Sequence, residues 1–178
     1  MDELSNLIAR AREGDKDAYG QIYQLFYKRF YRYCHFNLSR NETAQDVCQE
    51  TFLRAWRSIS SFSQKKGGSF QAFLFKIARN LIIDLSRKKK EVSIENYEQV
   101  DANQDLDEKL QKQEDIEGVR SALAKLEEKD REIVVLRYFE EMSSFEVAKV
   151  VGMREGNLRV RTHRILKKLK EIIQSQND

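Results

Sequence analysis

The chain has 178 residues with no proline, only 7 glycines and 2 cysteines, and a net charge of +3. So few helix breakers predict an all-α fold, and the length allows two small helical domains, each with its own core. The N-terminus lacks a charged-then-apolar leader pattern and no apolar run approaches the ~20 residues of a membrane span, which excludes direct membrane insertion and points to the cytoplasm.

Leu4 to Arg12, followed by Gly14-Asp15, reads as a short helix ending in a turn. Asp17 is the predicted cap of the next helix, whose inward positions run through Ala18, Ile22, Leu25, Phe26, Phe30 and Tyr33. Tyr19, Tyr23, Tyr27, Tyr31 and Phe36 make it dense in rings, and such a stripe is expected in a core rather than as a base-stacking platform. Ser39-Arg40-Asn41 breaks the helix. Thr43 to Ser58 forms the next one, capped by Asn41 or Thr43, with Ala44, Cys48, Phe52, Ala55 and Ile59 on its buried side. Asp46, Gln49, Glu50, Leu53, Arg54 and Arg57 lie largely on the other side. Leu53 and Trp56 set apolar surface beside that polar face, the pattern of a place where a partner protein docks.

Ser60 to Ser69 is the loop-like stretch of this half. Phe62 with Lys65 and Lys66 places an aromatic ring on a basic, glycine-softened loop, a device for holding an unstacked base; Phe62 could equally be tucked beneath a plain surface loop. Ser69 caps a helix from Phe70 to Lys90, whose core face carries Phe70, Phe73, Leu74, Ile77, Leu81 and Leu85. Asn80 and Asp84 stand one turn apart, so an amide and a carboxylate are side by side and able to read base edges. Arg87, Lys88 and the rest of the basic tail suit phosphate.

Charge is distributed in blocks. Residues 1–90 carry 17 Lys/Arg against 9 Asp/Glu, a balance of +8; residues 91–117 carry 2 against 10, or −8; residues 118–178 carry 13 against 10, or +3. Two basic blocks and an acidic connector predict domains over 1–90 and 116–178 and a flexible linker over 91–115 that turns helical near Leu106. The asymmetry points to a polyanionic target.

In the second domain Val119, Leu123 and Leu126 make one helix, and Asp130 starts another through Ile133, Val134, Leu136, Arg137 and Tyr138. Met142 to Lys170 then reads as two helices around Gly152. Ser143 or Ser144 caps the first, Glu146 suits its positive end, Phe145, Ala148 and Val151 form its buried face, and Gly152 supplies the left-handed turn. The second carries Leu158, Ile165 and Leu169 inward, with Arg159, Arg161, Arg164, Lys167 and Lys168 facing mostly outward. That is the pattern of a helix-turn-helix whose second helix enters the DNA major groove, although a helical hairpin with a solvated basic face has the same signature.

Asp46-x-x-Gln49-Glu50-Thr51-Phe52, then Ile77-Ala78-Arg79-Asn80 with Asp84 and Arg87, resembles the second conserved region of bacterial sigma factors of the sigma-70 family. The basic helix-turn-helix resembles their fourth region. Two such domains and a short linker resemble the extracytoplasmic-function (ECF) group over nearly the whole chain. The resemblance implies a promoter-specificity subunit that binds RNA polymerase core, recognises −35 and −10 elements and supports strand opening. It assigns Asp46, Gln49, Glu50, Leu53, Arg54 and Arg57 to the coiled coil of the polymerase largest subunit. Phe62, Lys65, Lys66, Asn80 and Asp84, with Arg87 and Lys88, fall to the unpaired −10 strand. Asn157, Arg159, Val160, Arg161, His163 and Arg164 fall to −35 duplex, with Lys167 on phosphate. The acidic linker would enter the polymerase cleft, the polymerase flap is a further contact, and an anti-sigma factor is a further expected partner. The turn departs from the family pattern: Arg154 stands where proline is usual, Asn157 for threonine, and Val160 for a serine able to donate a hydrogen bond.

The competing reading is a helix-turn-helix transcriptional regulator with an N-terminal partner-binding domain, which would dimerise on paired half-sites. It has no use for the two motif-bearing helices of the first domain. An enzyme finds little support: the histidines are only His35 and His163, and there is neither a phosphate-binding glycine loop nor a nucleophile elbow. No cofactor is expected. Cys34-His35 with Cys48 lacks an evident fourth zinc ligand, so both cysteines are expected to be buried, reduced and structural, with no metal.

Overall fold

A computed structural model describes residues 3–38, 40–63, 69–92 and 122–175, and every element among them is helical. The chain divides into two compact units, Met1–Gln104 and Asp105–Asp178. Lys65, Lys66, Val119 and nearly all of the predicted linker lie outside the described residues.

The first unit opens with α1 (Glu3–Arg12), which buries Leu7, Ile8 and Ala11 and has Glu3 in its first turn and Arg10 and Arg12 in its last, the charge order that a helix dipole favours. Gly14 turns the chain at φ +94°, a conformation that a Cβ would strain. Asp15 then caps α2 (Lys16–Asn37), accepting from the Ala18 N–H at 3.0 Å. Asp17, the expected cap, already lies in the first turn because the chain leaves its extended conformation at Asp15. The Ala18 N–H, and after it the Arg10 guanidinium, hold the Asp15 carboxyl below its ordinary range.

α2 buries Ala18, Ile22, Phe26, Phe30, Tyr33 and Cys34 at helical spacing. Leu25 does not join them; it is 58% exposed, because the line through Ile22, Phe26 and Phe30 already fills the inward face. α3 (Asn41–Ser58) begins two residues before the expected Thr43, with Arg40 at the cap position and no side-chain cap bond. Its buried residues are Ala44, Val47, Cys48, Thr51, Phe52 and Ala55, and the Thr51 hydroxyl is satisfied by donating to the Val47 carbonyl at 2.7 Å. A 3-10 turn, Ile59–Ser61, leads to Phe62.

α4 (Phe70–Val92) is capped by Ser69 as expected, its hydroxyl accepting from the Ala72 N–H at 3.1 Å, and it runs two residues past Lys90. Its inward line is Phe70, Leu74, Phe75, Ala78, Leu81 and Ile82, so Phe73, Ile77 and Leu85 are only half-buried and Phe75 takes the centre instead. Phe75 stacks on Phe30 at 4.2 Å and meets Tyr33 edge-on at 4.9 Å, while Phe30 also meets Phe52 at 5.7 Å. These ring pairs join α2, α3 and α4, and each is worth about 1 kcal/mol beyond the area it buries. Cys34 and Cys48 are both fully buried free thiols. A hydrogen bond between them and then burial push the Cys34 thiol up, which keeps it protonated.

In the second unit Ala122, Leu123 and Leu126 are buried ahead of α5 (Glu128–Val134). Where one helix through Tyr138 was expected, the chain widens at Val135–Phe139 into a π turn, with the Glu140 N–H reaching back to the Val135 carbonyl at 3.0 Å. The extra residue rotates the line of side chains, so Tyr138 and Phe139 are about half exposed while Leu136 stays buried. Glu141 follows in the left-handed region at φ +53°. α6 (Ser144–Val151) and α7 (Glu155–Gln174) form the helix-turn-helix. No described helix is long and apolar enough to cross a membrane.

Candidate functional site

On α3, Asp46, Gln49, Leu53, Arg54 and Arg57 are all exposed and Glu50 is half-buried, so the polar stripe faces solvent as a unit. Glu50 and Arg54 pair at 2.7 Å one turn apart, a surface pair worth about 0.3–0.5 kcal/mol, which fixes the stripe's charge pattern more than the fold. Leu53, 51% exposed, borders a groove of about 450 Å³ between α2 and α3, lined also by Lys16, Tyr19, Tyr23, Gln49 and Trp56. Tyr19 packs on Trp56 at 4.9 Å and donates its hydroxyl to the Phe52 carbonyl at 2.5 Å. Burial pushes the Tyr19 phenol well above its ordinary range, so it stays a donor. Sequence reasoning placed Tyr19 and Tyr23 in the core. Their hydroxyls were the available signal, because a tyrosine tends to keep one end at the surface.

A second surface lies on α4, where Asn80, Asp84, Arg87 and Lys88 are exposed along one side, with Ile83 43% exposed beside them. The structure does not bring Phe62 to this surface. Phe62 is 7% exposed, its ring 5.2 Å from both Phe70 and Phe73, so it is tucked beneath rather than displayed. Burying the ring against two neighbours outweighs leaving it in water by about 2 kcal/mol.

The third surface belongs to α6 and α7. Ser143 and Glu146 form a capping box: the Ser143 hydroxyl accepts from the Glu146 N–H at 3.2 Å, and the Glu146 carboxylate accepts from the Ser143 N–H at 2.8 Å. That register turns Val147, Ala148 and Val150 inward, so the expected inward residue Phe145 is instead 41% exposed, with the Lys149 ammonium 4.2 Å from its ring. Gly152 takes φ +72° and ends α6. In α7, Leu158 and Ile165 are buried and Leu169 partly so, while Asn157, Arg159, Val160, His163, Arg164, Lys167 and Lys168 are exposed.

Arg161 is the exception to the expected outward row. Its Nε donates to Asp130 at 2.5 Å, a second nitrogen lies 4.0 Å from Glu127, and its side chain is one-third exposed. Its position, three residues after Leu158 and four before Ile165, turns it toward the start of α5, where both carboxylates lie.

Two family models match these units: Sigma-70 region 2 over residues 22–92, and Sigma-70, region 4, over residues 116–169. The ECF RNA polymerase sigma factor SigW of Bacillus subtilis (strain 168) is 30% identical over 173 residues, covering 90% of this chain and 91% of that one. The chain belongs to the ECF sigma factors. BldN of Streptomyces coelicolor, another ECF sigma factor, is also 30% identical, and this chain spans 96% of its own length but 66% of BldN.

The fold of this ECF sigma factor is similar to that of CnrH, solved in complex with the cytosolic domain of CnrY (TM-score 0.72, 25% identity, 98% of this chain and 99% of CnrH). It is also similar in fold to RpoE of Bartonella quintana (TM-score 0.74, 24% identity, 87% and 96%). As an ECF sigma factor the chain is a promoter-recognition subunit for transcription initiation, partnered with RNA polymerase and promoter DNA. α2 from Ile22 onward, α3 and α4 fall within the region 2 match, and α5 to α7 within region 4 up to Leu169.

Proposed function

We propose that the exposed stripe of α3 is the polymerase-docking face, with Asp46, Gln49, Glu50, Leu53, Arg54 and Arg57 against the coiled coil of the largest subunit. The observation that carries this is the joint exposure of Asp46, Gln49, Arg54 and Arg57, with Glu50 half-buried among them, around a half-exposed leucine at the mouth of an aromatic groove. Such a surface combines an apolar anchor with a charged rim, as protein interfaces do.

In this reading domain 1–90 binds core and the unpaired −10 strand, 116–178 reads −35 duplex and touches the flap, and 91–115 is the acidic tether between them. Asn80 and Asp84 offer hydrogen bonds to unstacked base edges, and Arg87 and Lys88 hold the backbone, with Lys65 and Lys66 in the preceding loop. Phe62 acts indirectly, as a buried contact of Phe70 and Phe73 in the first turn of α4. Asn157, Val160 and Arg164 face base edges in the major groove, with Arg159, His163 and Lys167 on the same exposed surface. The work done is selective binding, in which capturing −10 bases outside the stack stabilises the melted state. The protein is therefore no enzyme, uses no metal or cofactor, and works in the cytoplasm where the chromosome and polymerase are. The complex of CnrH with the cytosolic domain of CnrY supports a protein partner for this chain as well, and an anti-sigma factor is the partner proposed.

In vitro transcription over a genomic promoter library, with core polymerase and with or without this chain, tests the reading. A set of promoters that fires only when the chain is added is the expected result. Reversing charge with Asp46→Lys and Glu50→Lys should cut co-purification with core while the circular dichroism spectrum stays native; undiminished co-purification would remove α3 from the interface.

A further inference from the structure

Four of the described arginines lie in or beside the recognition helix: Arg154, Arg159, Arg161 and Arg164. Arg161 differs from the others in where its charge is engaged. Its partner Asp130 belongs to another helix, 31 positions earlier, and the side chains are 33% and 17% exposed. By contrast Arg159 pairs with Glu155 one turn away on its own helix, with its side chain 69% exposed. An exposed pair of that kind is loose and readily exchanged, whereas a half-buried pair across two helices is held by the packing of both.

The Asp130–Arg161 pair sits in a groove of about 530 Å³ that Asn157, Val160, Arg164 and Lys168 also line, so it borders the face that meets DNA. The Arg161 Nε is one of several guanidinium donors, but carrying the whole group out onto a phosphate would break this bond. Doing so would leave the mostly buried Asp130 carboxylate without its cation and next to a polyanion. Glu127, 4.0 Å from the same guanidinium, adds to that penalty.

We infer that Asp130 is a positioning residue that withholds Arg161 from the DNA phosphates and thereby holds down the sequence-independent, salt-sensitive part of duplex binding. The inference rests on the reading of α7 as the −35 reader. Phosphate contacts raise affinity for every sequence alike, so a cation kept off the backbone lowers binding to every duplex by a similar factor and makes it less dependent on salt. With Arg161 drawn toward α5, the apolar Val160, 54% exposed, is left uncovered between Asn157 and Arg164.

The test uses holoenzyme reconstituted from core polymerase and full-length chain, binding two duplexes, one with the −35 element and one with it scrambled, across a salt series. Asp130→Asn keeps the shape and removes the charge; Asp130→Ala serves if the first fails to fold. The expected result is a log affinity against log salt slope steeper by ~0.9, the increment for one added phosphate contact. Affinity for the scrambled and the −35 duplex should rise by a similar factor, severalfold at low salt. Arg161→Ala alone should leave the slope in place, and the double variant should return to the Arg161→Ala level.

The inference is overturned if Arg161→Ala alone flattens the slope by ~0.9, since the arginine would then already be on a phosphate. It is overturned equally if the Asp130 variant lowers both affinities in parallel at unchanged slope, the mark of a purely structural pair. Wild-type holoenzyme that cannot tell the two duplexes apart would instead remove the −35 reading of α7, and this inference with it.

Discussion

Buried beneath α4, Phe62 makes a loop assignment testable one residue at a time. Truncation to alanine removes a ring that touches Phe70 and Phe73 and should cost the first unit about 3 kcal/mol, read by denaturant unfolding. Phe62→Leu keeps most of the buried volume, and promoter opening by the resulting holoenzyme should stay near wild type; a loss as large as that of alanine would restore a base-stacking role. Asp15 gives a pH-dependent counterpart. Its carboxyl is held below the ordinary range by the Ala18 N–H and Arg10, so the folded form is favoured above the unfolded carboxylate's pKa. That advantage is lost as pH falls through the depressed value. Asp15→Asn should therefore flatten the acid limb of the first unit's melting temperature against pH, and an unchanged acid limb would show that the cap does not titrate in this way.

The helical elements were legible to different degrees, for identifiable reasons. Ser69, Ser143 and Gly152 act where sequence reasoning put them, because caps and left-handed turns depend on a few local atoms. The stripe on α3 was legible too, since its period separates Asp46, Gln49 and Leu53 cleanly from Ala44, Cys48 and Phe52. What escaped was rotation. In α4 nearly every position from Phe70 to Phe75 is apolar, so periodicity could not say that Phe75 rather than Phe73 meets Phe30. The π turn at Val135–Phe139 has no composition of its own and showed only as Tyr138 and Phe139 facing out. Arg161 was hidden because its partner lies in a different helix. The π turn also exposes a cost: Glu141 holds φ +53°, where an L-residue loses roughly 1 kcal/mol relative to glycine. Glu141→Gly should raise the second unit's stability by about that amount in a thermal melt, and no gain would mean that the Glu141 side chain compensates. At Gly152 the reverse holds: alanine meets no atom within 4 Å but is strained at φ +72°, so it should destabilise by about 1 kcal/mol.

Across the whole molecule the charge blocks are read from the sequence alone. If the −8 stretch over 91–117 enters a basic channel of the polymerase, replacing its Asp and Glu by Asn and Gln should weaken core binding and flatten its salt dependence, as measured by competition with an unmodified sigma factor. Binding that keeps its salt dependence would assign the electrostatics to α3 instead. The groove on α3 has one more consequence. Trp56, which lines it against Tyr19, is the chain's single tryptophan. Light at the red edge of tyrosine absorption therefore excites one chromophore, at the proposed docking face and nowhere in the second unit. Its emission gives a label-free optical record of a partner arriving there, and the unfolding curve it traces reports on the first unit alone.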